Sequence, residues 1–224
     1  MSDQGNVRLK TFVLLLIGLA PAELNRFYNP LLVHFPPVFW SVGAFRFVVL
    51  PLIVLYAGIR WRLFTLSDLG FHRRVFGSRN FAIFLGAMIL IPAVMLWIDP
   101  HAQKLAFRLA ASLHWPPVFS YQQMEPSGPR RFFIVIYFAV TAGFTEEFYY
   151  RGLTRFVCGR GFIRSCMFVI VSSSLFGPPH LYGGAANVID AEIFALEAAL
   201  IYLAVGSLWP LIVAHILIDF GYFS

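Results

Sequence analysis

The sequence predicts an all-α, polytopic transmembrane bundle of about seven to eight spans, and three observations carry that prediction. Of the 224 residues, 59% are hydrophobic and only 12% are charged, where a soluble domain typically carries about 25% charged residues. Mean hydropathy is +0.74. The apolar residues are gathered into runs of roughly 20 residues, the length that crosses a bilayer as a helix, with mostly short polar segments between them.

The first run, 11–28, follows Arg8 and Lys10 and is interrupted by Ala20-Pro21-Ala22. That pattern is compatible with a cleaved leader peptide or with a short first span closed by Glu23, Asn25 and Arg26. Further runs cover 37–58, 81–98, 131–150, 162–178, 188–205 and 208–222. An eighth would fall in the Pro-rich stretch 102–120, where Lys104 to His114 is amphipathic enough to lie at the interface instead. No internal repeat, low-complexity tract or long linker divides the chain, so 1–224 is expected to form one membrane domain whose motifs fall within 131–222.

Charge sets orientation rather than partner. The basic residues are scattered between apolar runs and form no single stripe, which argues against nucleic acid. Segments 1–10, 59–80 and 151–164 hold eleven Lys and Arg residues, and the alternate segments hold five. The excess predicts a cytoplasmic N-terminus in a cytoplasmic (inner) membrane. Cys158 and Cys166 have neither a disulfide framework nor a Cys-x-x-Cys spacing, so both are read as small apolar residues.

Against this background Glu146 and Glu147 stand out, because each carboxylate at the centre of a bilayer costs roughly 2.5 to 3.5 kcal/mol on an insertion scale. Residues four apart share a helix face, so Glu147 and Arg151 are expected to pair and brace the helix. Glu146 points elsewhere, on the row of Ala139, Gly143 and Tyr150, and without a local cation it is the better candidate base. His180 ends the run Phe-Gly-Pro-Pro-His, and an imidazole placed beside Glu146 is suited to bind and activate a water. His215 and Asp219 are four apart in the last run, where a polar pair flanked by Ile and Leu is costly unless it faces a polar cavity. His215 is a candidate oxyanion donor, and Asp219 would fix its tautomer or donate as well. The same inventory admits a second use, a zinc or manganese ion held by Glu146, His180, His215 and Asp219, although no His-Glu-x-x-His fixes the spacing. Asp190 and Glu192 are expected at a helix N-terminus. Glu197, deeper in its run, is either cavity-facing or a partner for Arg46, the one basic residue near the middle of a span.

These motifs resemble those of the CAAX prenyl protease and bacteriocin-processing family (CPBP, also called ABI) of intramembrane glutamate proteases. The likeness rests on Glu146-Glu147-Phe-Tyr-Tyr-Arg151, on Phe176-Gly-Pro-Pro-His180, and on Gly206-Ser-Leu-Trp209-Pro210 followed by His215-x-x-x-Asp219. It implies a helical bundle with a cavity open to the membrane, in which Glu146 and His180 activate water, His215 and Asp219 serve the oxyanion, and Glu147 and Arg151 brace the site. Two positions depart from the pattern. Pro178 and Pro179 replace helix formers before His180, and Asp219 stands where the prenyl proteases carry Asn, although an ionised carboxylate has no proton to donate.

The expected function is therefore hydrolysis of a peptide bond near a membrane anchor, or in a lipidated or apolar peptide, without a bound cofactor. A metal-dependent hydrolase using Glu146, His180 and His215 is the nearest alternative. A non-catalytic scaffold or immunity protein of the same fold is the second. The sequence encodes no choice among peptide substrates and no oligomeric state.

Overall fold

A computed structural model describes residues 3–32, 34–117 and 128–223, and over these residues the chain is helical, with no strand and one isolated bridge between Val75 and Ser78. Helix α1 (Asp3–Glu23) buries Leu14, Leu15 and Leu19 in the core. Its Gly18 lies under the Tyr149 ring, where any Cβ would overlap the aromatic carbons. The chain turns at Leu24 into α2 (Asn25–Leu32), at the break expected from Glu23, Asn25 and Arg26.

Helices α3 (Pro36–Ala44) and α4 (Leu50–Arg60) are joined through a π-helical turn, Phe45–Val49, into one rod. Pro36 and Pro37 open it, in the first turn where a missing amide hydrogen costs little. Within the wider turn the Phe47 carbonyl accepts a hydrogen bond from the Thr145 hydroxyl at 2.7 Å. That bond ties the rod to the residue preceding Glu146.

Asn80 caps α5 (Phe81–Ala110), its Oδ1 accepting the Ala82 amide hydrogen at 2.8 Å. The helix is 30 residues long and absorbs the first part of the stretch expected at the interface, Lys104 to Ala110. Pro100 does not end it, and Gln103 Nε2 donates to Asp99 Oδ2 at 2.9 Å across the proline's turn. Of the remainder of the possible eighth span, 111–117 are turn and irregular chain and 118–120 lie outside the described residues.

Helix α6 (Arg130–Glu146), a π-helical segment Glu147–Leu153 and α7 (Thr154–Cys158) form a second continuous rod. After a turn through Gly159 and Gly161, α8 (Phe162–Phe176) returns, followed by a 3-10 turn Pro178–Gly183 and α9 (Gly184–Val205). Gly206, at φ +75°, closes α9 in the left-handed conformation that glycine adopts without strain. Ser207 then donates to the His72 carbonyl at 2.7 Å, and the Leu208 amide to Gly70 at 2.9 Å, fastening loop 61–80 to the start of α10 (Trp209–Phe223).

Among the described residues, four helices are long and apolar enough to cross a membrane: Gln4–Glu23, Pro36–Arg60, Phe81–Ala110 and Arg130–Cys158. The other three expected spans are helical but differ in kind. Helices α8 and α10 have 15 residues each, which at 1.5 Å per residue reach about 22 Å of the roughly 30 Å hydrocarbon core. Helix α9 carries Asp190, Glu192 and Glu197. It begins at Gly184, so Asp190 and Glu192 lie about two turns inside it and not at its N-terminus, because the run extends further upstream through Ala185 and Ala186 than its hydropathy suggested.

Helix α10 packs against α5 and α6, and α9 against α5 and α8. The α6–α10 approach is set at Gly143, where an added Cβ would stand 2.8 Å from Ile216 Cγ1 and 3.4 Å from the Ile212 carbonyl oxygen. Gly143→Leu should therefore push α10 outward, with a loss of about 1–3 kcal/mol in stability from overpacking. Thermal unfolding of the purified protein checks this, and an unchanged midpoint would contradict the close approach.

Candidate active site

Residue Glu147 is the first of the π-helical segment and is buried completely, as is Arg151. Single π turns inside α-helices recur at functional sites because they re-aim consecutive side chains. Arg151 Nη1 lies 3.2 Å from Glu147 Oε1, the expected i,i+4 brace. The guanidinium also sits over the rings of Phe176, at 4.8 Å, and Phe194, at 5.4 Å. Ion pair and aromatic faces together compensate a charge that has left water.

The same Glu147 Oε1 lies 2.9 Å from His215 Nδ1 on α10. An ionised carboxylate only accepts, so Nδ1–H is the donor and the ring's tautomer is set by Glu147. The i,i+4 spacing offers Asp219 either for that task or as a second donor. Instead, Asp219 Oδ2 lies 3.7 Å from the opposite nitrogen, Nε2, and Glu146 Oε2 lies 3.7 Å from that same atom. The two adjacent glutamates do diverge, as helix geometry requires, yet they embrace two edges of one imidazole. Phe194 closes one face of this ring at 4.7 Å.

His180 sits on the 3-10 turn. Gly177 and Pro178 end α8, and the two prolines occupy the first positions of the turn, where neither needs its missing amide hydrogen. The two prolines are thus accommodated where α8 has already ended. Its Nδ1 lies 2.8 Å from the Phe176 carbonyl oxygen, so Nδ1 carries the proton and donates, leaving Nε2 of the neutral ring as an acceptor. Phe176 stacks on the ring at 5.0 Å, and Asn187 Nδ2 donates to the His180 carbonyl at 3.1 Å.

Glu146, His180, His215 and Asp219 line one cavity of about 120 Å³, enough for a few waters beside polar partners. Glu146 and Asp219 keep 14% and 20% of their side chains accessible, whereas Glu147 has none. This difference separates the glutamates more sharply than their direction does. The wall also includes residues that the sequence reading left out of the site: Asn25, Asp99, Gln103, Tyr182, Asn187 and Tyr222. None of them belongs to a motif, and Asp99 and Gln103 lie beyond the run 81–98 because α5 continues through Pro100 to Ala110. Arg46 is buried and lines the cavity, while Glu197 is absent from its wall. Among the described residues, no three His, Cys, Asp or Glu side chains converge as ligands of one metal ion.

Residues 128–221 match the family model described as type II CAAX prenyl endopeptidase Rce1-like. No curated protein and no solved structure matches the chain. The matched segment runs from the start of α6 almost to the end of α10 and contains every residue of the three motifs. The likeness is to a family of membrane endopeptidases.

Proposed function

We propose that this protein, which carries an Rce1-like domain of the type II CAAX prenyl endopeptidase family over residues 128–221, hydrolyses a peptide bond near a membrane anchor, or in a lipidated or apolar peptide, using water activated by Glu146 and His180. The observation that carries this reading is that an accessible carboxylate and the acceptor edge of an imidazole line one cavity, beside a second imidazole whose Nδ1 is held by Glu147.

Glu146 takes a proton from the water as its oxygen adds to the scissile carbonyl carbon, and His180 Nε2 orients that water by accepting its other hydrogen. The oxyanion so formed needs a donor. With Nδ1–H committed to Glu147, only the doubly protonated ring of His215 has an Nε2–H to offer, and Glu147, Glu146 and Asp219 surround that charge. As the carbon–nitrogen bond breaks, Glu146 returns its proton to the leaving amine. Asp219 then assists through His215 and does not itself have to donate, so the acid in place of the usual amide fits the reaction. The apolar wall formed by Phe138, Phe176 and Phe194 suits a hydrophobic peptide segment.

In this mechanism His180→Phe keeps an aromatic ring but has no nitrogen to accept the water's hydrogen, and hydrolysis should fall about 10²–10⁴-fold, read as the rate at saturating peptide. Exhaustive chelation of the purified protein should leave the rate unchanged. Loss of activity on chelation, restored by zinc or manganese, would instead assign Glu146, His180 and His215 to a metal.

A further inference from the structure

A second cavity, of about 560 Å³, shares no wall residue with the first. It is formed where segments 4–8, 67–72 and 155–164 meet, which are parts of the three segments carrying the excess of Lys and Arg. Four arginines line it: Arg8, Arg155, Arg160 and Arg164. Among the described residues none of the four has a carboxylate within ion-pair distance. Asp68, the one acid in the wall, is already engaged, its Oδ2 accepting from the Thr65 amide at 2.8 Å and the Thr65 hydroxyl at 2.7 Å.

The positive charge is concentrated against local preference. Arg164 stands in the first turn of α8, which has no acidic residue there, although a helix N-terminus favours negative charge. Arg8 is packed onto Gly159, where an added Cβ would lie 2.8 Å from its Nη2, and Arg155 donates to the Gly159 carbonyl. Two of the guanidinium groups are thus held in place at the same turn that presents Arg160. His72, also in the wall, has a buried Nδ1 without a hydrogen-bond partner. Fixed guanidinium groups around a recess of this size are suited to bidentate contacts with phosphate oxygens, and basic pockets between helices near a membrane surface take anionic headgroups.

We propose that this cavity is a binding site for a phosphate group, supplied either by an anionic phospholipid headgroup or by a soluble phosphate ester. The test uses the full chain, purified and placed in nanodiscs of phosphatidylcholine alone or with phosphatidylglycerol, and in neutral detergent with glycerol 3-phosphate. Bound lipid counted by native mass spectrometry and saturable binding of glycerol 3-phosphate are the readouts. The triple variant Arg8→Gln, Arg160→Gln, Arg164→Gln should bind at least tenfold more weakly. A control triple of exposed arginines outside the cavity, Arg60→Gln, Arg73→Gln, Arg79→Gln, should bind as the wild type does. Arg164→Gln alone, at an exposed position, should weaken binding at least threefold and guards against misfolding of the triple variant. Saturable glycerol 3-phosphate binding identifies the soluble ester as sufficient; phosphatidylglycerol retention without it identifies the headgroup. Binding of neither probe, or equal loss in the control triple, would overturn the proposal.

Discussion

Glu146→Gln is expected to lower peptide hydrolysis by at least about 10³-fold, within the range that loss of a general base commonly costs, while the protein accumulates in membranes at wild-type levels. The amide keeps the size of the side chain and its place 3.7 Å from His215 Nε2, but it cannot take the proton of water. Glu146 faces the cavity and is partly accessible, and when its charge is removed the buried His215 still has Glu147 and Asp219 beside it. A full rate in this variant would remove Glu146 from the reaction.

Glu147→Gln is expected to behave in the opposite sense, failing first in stability. Glu147 Oε1 is the shared neighbour of Arg151 Nη1 and His215 Nδ1, and both it and Arg151 are wholly buried. Breaking a buried pair by removing one partner costs about 3–5 kcal/mol, because the remaining charge is left without compensation. The unfolding midpoint and the amount of folded protein should both fall. A second substitution, Arg151→Met, which removes the stranded charge, should recover part of the loss. Equal stability of Glu147→Gln and wild type would show that the brace has no structural weight. The two adjacent glutamates thus have separable signatures, one catalytic and one structural, and replacing both together would conceal the difference.

Much of this site was legible in the sequence because membranes make polar residues expensive. Glu147–Arg151 followed from helical spacing alone, and His215 with Asp219 from a polar pair inside an apolar run. The partner of His215 was not legible, because the Glu147–His215 bond spans 68 positions and depends on a π-helical turn that has no sequence signature. Pro178 and Pro179, which by helix propensity put in doubt whether His180 reaches Glu146, fall just beyond α8, where the chain leaves the helix, and His180 and Glu146 line the same cavity. Span number was the weakest inference. Hydropathy located the apolar runs, yet α8 and α10 stop at 15 residues and α9 carries three acids, so among the described residues four helices pass on length and composition. The Thr145–Phe47 bond and the polar wall from α2, α5 and α9 depend on tertiary packing between distant segments.

The most direct test compares the termini of membrane proteins from cells carrying wild-type protein or Glu146→Gln at matched abundance, by quantitative mass spectrometry. Hydrolysis by Glu146-activated water predicts at least one membrane-anchored or lipidated protein whose cut form is present with wild type and replaced by the uncut form in Glu146→Gln. Identical termini in the two membranes, with both proteins folded and equally abundant, would contradict it.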